Sequence, residues 1–96
     1  MEHVEGFEWD AAKAQANLTK HGVSFTAAVQ VFEDTVRVEW LDTRHDYGEE
    51  RFVTVGEVNA ELLSVAYTMR ADLVRIISVR RASKHEKEEY HGNRSL

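Results

Sequence analysis

The 96-residue chain contains no cysteine and no proline, and only five glycines. Without cysteine there is neither a disulfide nor a thiolate zinc site, so a domain this small must draw its stability from packing, aided by a partner. With no proline and only scattered glycines, no stretch has the composition of a linker, and neither low-complexity segments nor internal repeats occur. Residues 1–96 therefore read as a single domain, long enough for one hydrophobic core and too short for two. No apolar run approaches the roughly 20 residues that span a bilayer. The opening "MEHVEGFEWD" is acidic rather than basic and then apolar, as a leader would be. Both features point to a cytoplasmic protein with no membrane partner.

Positive charge is also scarce, with 12 Lys and Arg against 17 Asp and Glu, a formal net charge of -5. That balance argues against nucleic-acid binding by bulk electrostatics. The distribution is uneven, however. Arg70, Arg75, Arg80, Arg81, Lys84 and Lys87 fall in one segment that holds only Asp72 and Glu86 in return, so half of the 12 basic residues gather there. Glu2, Glu5, Glu8 and Asp10 crowd the start instead.

Local chemistry predicts the elements. Asp10 can cap and Gly22 can end an alanine-rich first helix over 11 to about 20. Ser24 can cap a second helix, whose Phe25, Ala28, Val29 and Phe32 make one apolar face. From Thr35 the period becomes two, with Val36, Val38 and Trp40 alternating in a first strand. After the polar "DTRHDYGEE", the runs "RFVTVGEV", "ELLSVAYTMR" and "LVRIISVR" read as a meander joined at Asn59-Ala60 and Ala71-Asp72, the last two strands central. Ser83 and Glu86 form an S-x-x-E capping box for a third helix reaching about His91, with Tyr90 as its one large anchor. The expected fold is α+β: two N-terminal helices, a four-stranded antiparallel sheet and a C-terminal helix, with the helices on one face.

Candidate chemistry centres on the arginines. Arg75 interrupts the apolar "LVRIIS" and needs an anion, an acidic partner or a solvated face, and strict alternation puts it opposite Arg80. A single arginine is most often a paired surface residue. A cluster at a strand end and helix start suits phosphate, because guanidinium forks match its oxygens. His3, His21, His45, His85 and His91 show no compact ligand spacing, so neither a metal nor another cofactor is expected. His21 and Lys20 can act near neutral pH, although cations in a last helical turn ordinarily serve the helix dipole. Glu50 and Arg51 open a strand, where solvated edge charge is the ordinary reading.

"FEWDAAKAQANLTKHGVSFTAAVQVF", "GEERFVTVG" and "RIISVRRASKHEKEEY", in this order from Phe7 to Tyr90, resemble the BrnT family of type II toxin-antitoxin systems. The resemblance implies a RelE-like fold. It also implies a ribonuclease that cleaves RNA without a metal, inhibits translation and is neutralised by a BrnA-like antitoxin, touching DNA only through that partner. Motif by motif it implies catalytic roles for Lys20, His21, Glu50, Arg51, Arg75, Arg80 and Tyr90, with Arg70, Arg81, Lys84 and Lys87 binding RNA.

The final helix carries Glu86, Glu88 and Glu89 beside its cations. This favours one rival, a non-catalytic module that holds an acidic partner on the same cationic face. A second rival, a regulator acting alone on DNA, lacks a basic helix face fit for a groove.

Overall fold

In the computed structural model, residues 2–4 and 6–94 are described, with the side chains of 6–92. Glu5 and the side chains of Glu2 and His3 lie outside the described residues. The order is β1 (Glu2–Val4), β2 (Phe7–Trp9), α1 (Ala11–His21), α2 (Phe25–Val31), β3 (Val38–Leu41), β4 (Phe52–Val58), β5 (Glu61–Arg70), β6 (Leu73–Arg81) and α3 (Lys84–Arg94).

The helix ends follow the local chemistry. Asp10 Oδ1 accepts the N–H groups of Ala12 at 2.8 Å and Lys13 at 3.1 Å, satisfying donors that the first turn leaves free. Gly22 adopts the left-handed conformation at φ 70° and its N–H returns to Leu18 O. Ser24 Oγ accepts from Ala27 N. At α3 the capping box is reciprocal: Ser83 N donates to Glu86 Oε1 at 2.8 Å, and Glu86 N to Ser83 Oγ at 3.3 Å.

The sheet differs from the four antiparallel strands expected. It is mixed and six-stranded, in the order β1-β2-β6-β5-β4-β3. β2 runs parallel to β6, pairing Phe7 with Val74 and Glu8 with Arg75, and β1 folds back antiparallel on β2. Strands of three residues are too short to show a period, which is why they are silent in sequence. The meander β4-β5-β6 stands as read, with β5 and β6 interior. Val36, 40% exposed, precedes β3 rather than belonging to it.

The helices lie on both faces, not one. Register puts Phe52 opposite Tyr67, Thr54 opposite Val65 and Gly56 opposite Leu63, and this face packs on Ala14 of α1 and on Phe25, Ala28 and Val31 of α2. A Cβ at Gly56 would stand 3.0 Å from Val31 Cγ1, so glycine there lets α2 approach the sheet closely. Val53 and Val55 point the other way and pack with Ala82 and Tyr90, so α3 covers the opposite face. Its docking rests on Tyr90, 1% exposed, whose ring supplies the apolar contact that the rest of the helix lacks.

Asn17 joins the two layers. Its Nδ2 donates to Val23 O at 3.0 Å and Val79 O at 2.8 Å, while its Oδ1 accepts from Val79 N at 3.1 Å. The side chain thus satisfies the edge of β6 beyond its pairing with β2, where buried backbone groups would otherwise lack partners. No helix among the described residues is long and apolar enough to cross a membrane.

Candidate functional site

Three arginines share the face that α3 partly covers, and a strand irregularity puts Arg75 among them. Ala66 pairs with Ser78 but Tyr67 pairs with Ile76, so Ile77 is an extra residue in β6. The bulge shifts the alternation by one. Arg75, opposite Thr68, therefore lies on the same face as Arg80, opposite Ser64, and not on the reverse side as strict alternation predicts. Arg51 precedes β4 by one residue and pairs its carbonyl with Asp42 N, which continues the Val53 and Val55 side of that strand.

Arg80 is held by a buried carboxylate. Its NH1 donates to Glu86 Oε1 at 2.8 Å and its NH2 to Glu86 Oε2 at 3.0 Å, while NH1 also donates to Arg81 O at 3.2 Å. Of the five guanidinium N–H groups, these contacts leave Nε–H and one NH2 hydrogen, the pair that forms the side-on fork. The Arg80 side chain is 41% exposed and Glu86 only 9%. Glu86 also accepts from Ser64 Oγ at 3.1 Å and Ser83 N. Burial pushes its carboxyl up, but Arg80, Ser83 and Ser64 together hold it below its ordinary value.

A second carboxylate organises the preceding loop. Asp42 is buried and accepts Arg44 Nε and NH2, both at 3.0 Å, the Arg44 backbone N–H, and the Tyr47 hydroxyl. The Arg44 guanidinium holds the Asp42 carboxyl far below the usual carboxylate range. The loop that reads as merely polar is thus folded onto one side chain. Arg51 stacks 4.0 Å above the Tyr47 ring and reaches Glu49 at 3.4 Å. Arg75 pairs with Glu8 at 3.2 Å, both side chains largely covered.

The structure brings Arg51, Arg75 and Arg80 to one face and disperses the other candidates. Lys20 and His21 end α1 on the reverse face, where the His21 carbonyl accepts Arg81 NH1 at 3.2 Å. Arg81 itself pairs with Glu61 on that side. Tyr90 is buried and its hydroxyl donates to Asp34 Oδ2 at 2.6 Å. Glu50 is exposed, and its backbone carbonyl accepts the Thr68 hydroxyl. Arg70 sits exposed at the end of β5 beside Glu49, and Lys84 and Lys87 are exposed on α3.

Sequence reasoning gave no site role to Asp42, Arg44, Trp40 or Glu86. For Glu86 a signal existed: the capping-box glutamate follows Arg80 closely enough for its carboxylate to reach both the helix start and the strand end. Among the described residues, no three His, Asp or Glu side chains gather so as to hold a metal ion.

The family model described as "Ribonuclease toxin, BrnT, of type II toxin-antitoxin system" matches residues 9–86. No curated protein matches the chain.

Proposed function

The chain belongs to the BrnT family of ribonuclease toxins of type II toxin-antitoxin systems, and from that premise we propose that it cleaves RNA at the sheet face bearing Arg51, Arg75 and Arg80. Family membership implies an antitoxin partner and an RNA target. The finer reading is that cleavage needs no metal, stops translation in the cytoplasm, and is blocked by a BrnA-like antitoxin laid over Arg75, Arg80 and Lys84, with DNA contacted only through that antitoxin.

The observation that carries this reading is Arg80. Glu86 fixes the end of the guanidinium, and among the described residues the side-on fork has no hydrogen-bond acceptor. An arginine pinned this way meets a phosphate without reorganising, which is what stabilises charge that develops only in the transition state. In the proposed reaction the RNA 2'-hydroxyl oxygen attacks the adjacent phosphorus and the bond to the 5'-oxygen breaks, leaving a cyclic phosphate. A base accepts the hydroxyl proton. The departing oxygen takes a proton from solvent.

Purified protein should therefore cut RNA in the presence of EDTA. Under single turnover, Arg80→Lys should lower the rate about 100-fold with a smaller loss of RNA affinity, because lysine keeps the charge but not the fork. Cleavage that disappears on chelation and returns with a divalent ion would refute the metal-free step. An Arg80→Lys protein as fast as the parent would remove Arg80 from the reaction.

A second reading has its own support. Each arginine whose side chain is described is paired with a carboxylate, Lys20 and His21 lie on the reverse face, and Tyr90 is buried against Val53 and Val55 with its hydroxyl on Asp34. A non-catalytic module holding an acidic partner on this face would bind the antitoxin yet leave RNA intact in the same assay.

A further inference from the structure

Trp40 stands on β3 opposite Val53, and its ring packs against the cluster of Val53, Val55, Ala82 and Tyr90. It is nonetheless only half-buried. Part of its remaining surface borders a larger cleft of about 900 Å³ with Arg37, Glu39, His85, Glu88 and Glu89, and part lines a cleft of about 190 Å³ together with Asp42, Arg44, Val53, Arg80 and Glu86. Among the described residues the indole N–H has no hydrogen-bond acceptor, and no ring or guanidinium stacks on the indole face.

The charges of this cleft cancel in pairs. Arg44 is forked onto Asp42 and Arg80 onto Glu86, so the walls offer polar edges with no net charge. Such a space is poorly suited to a phosphate as its main occupant. It suits a flat, uncharged ring with donors and acceptors on its rim. Aromatic side chains are the usual platforms for unpaired bases, which stack on them through a π-face that every base has.

We propose that the cleft beside the Arg80–Glu86 pair is a nucleobase subsite, in which one base of a single-stranded RNA lies on the Trp40 indole next to the phosphate held by Arg80. The proposal rests on the RNA-cleaving reading above and adds to it the residue that seats the substrate. Trp40 is rigid there, because its packed side is anchored in the core under α3. A seated base sets the register of the neighbouring phosphate against Arg80.

The test uses the intact protein and a short 2'-deoxy oligonucleotide, which lacks the attacking hydroxyl and cannot be cut. The chain has two tryptophans, and Trp9 is 6% exposed in the core of the reverse face, so a change in emission on binding reports Trp40. The intact oligonucleotide should quench that emission. An abasic site at one position should abolish the quench and weaken binding about tenfold to 100-fold. Trp40→Leu, which keeps an apolar side chain over the core, should weaken binding by the same factor and show no further loss with the abasic strand. Trp40→Phe should retain most of the affinity.

If Trp40→Leu folds, binds and cuts like the parent, the subsite does not exist. If it leaves RNA binding intact and weakens only the antitoxin complex, the cleft belongs to the partner and the proposal falls. A parent protein that neither binds the oligonucleotide nor cuts RNA would overturn both readings, and that result differs from the other two.

Discussion

Replacing Glu86 by glutamine tests whether this carboxylate is what holds α3 and Arg80 in place. The side chain is 9% exposed and accepts four hydrogen bonds, from Arg80 NH1 at 2.8 Å, Arg80 NH2 at 3.0 Å, Ser83 N at 2.8 Å and Ser64 Oγ at 3.1 Å. Glutamine preserves the shape but has one acceptor oxygen, and its amide nitrogen must face another donor. Removing one partner of a fully buried ion pair costs about 3–5 kcal/mol. Arg80 is 41% exposed and can regain water, so the expected loss is smaller, about 2–3 kcal/mol.

For a domain of this size that lowers the melting temperature by roughly 10–20 °C. Urea unfolding followed by circular dichroism measures the difference directly. The pH dependence has a definite sign. Because the folded Glu86 carboxyl titrates below its ordinary value, its stabilisation is complete above the unfolded carboxylate pKa of about 4.3 and fades as the pH falls through the lower folded value. The gap between parent and Glu86→Gln should be constant from about pH 6 to 8 and close below about pH 4.3. A gap under about 0.5 kcal/mol at neutral pH, the scale of an ordinary surface substitution, would refute the assignment. So would a gap that widens in acid.

Asn17→Leu keeps the side-chain size but strips partners from Val79 N–H, Val79 C=O and Val23 C=O, and should cost about 3–5 kcal/mol in the same unfolding measurement. A loss below about 1 kcal/mol, the worth of a single hydrogen bond, would mean that water replaces all three bonds. Ala60 closes the β4–β5 hairpin at φ 66°, after Asn59 at φ 50°, a turn in which glycine is the relaxed second residue. Ala60→Gly should stabilise the protein by about 0.5–1 kcal/mol, read as a melting temperature several degrees higher, whereas a decrease would show that the turn is not strained.

The parts legible in sequence are those decided within about one helical turn. Asp10, Gly22 and Ser24 mark helix ends because a cap bonds to backbone groups two to four residues away, and Ser83 with Glu86 is readable for the same reason. The meander is readable because Asn59-Ala60 and Ala71-Asp72 leave only two residues between strands of clear alternation. The ordered blocks along the chain carried the family, which the match over residues 9–86 bears out.

The tertiary structure decided everything that depends on partners far apart in the chain. β2 joins β6 across more than 60 residues, and Arg75 meets Glu8 at a separation of 67. Period-two alternation assigns faces only while each residue has one partner. A single added residue, Ile77, reverses every assignment beyond it, and so places Arg75 on the same face as Arg80. Lys20 and His21 are parted from Arg75 and Arg80 because their helix packs on the other face, a choice made by which apolar surfaces α1, α2 and α3 could bury together. A cap needs only its neighbours along the chain. A site needs the whole sheet.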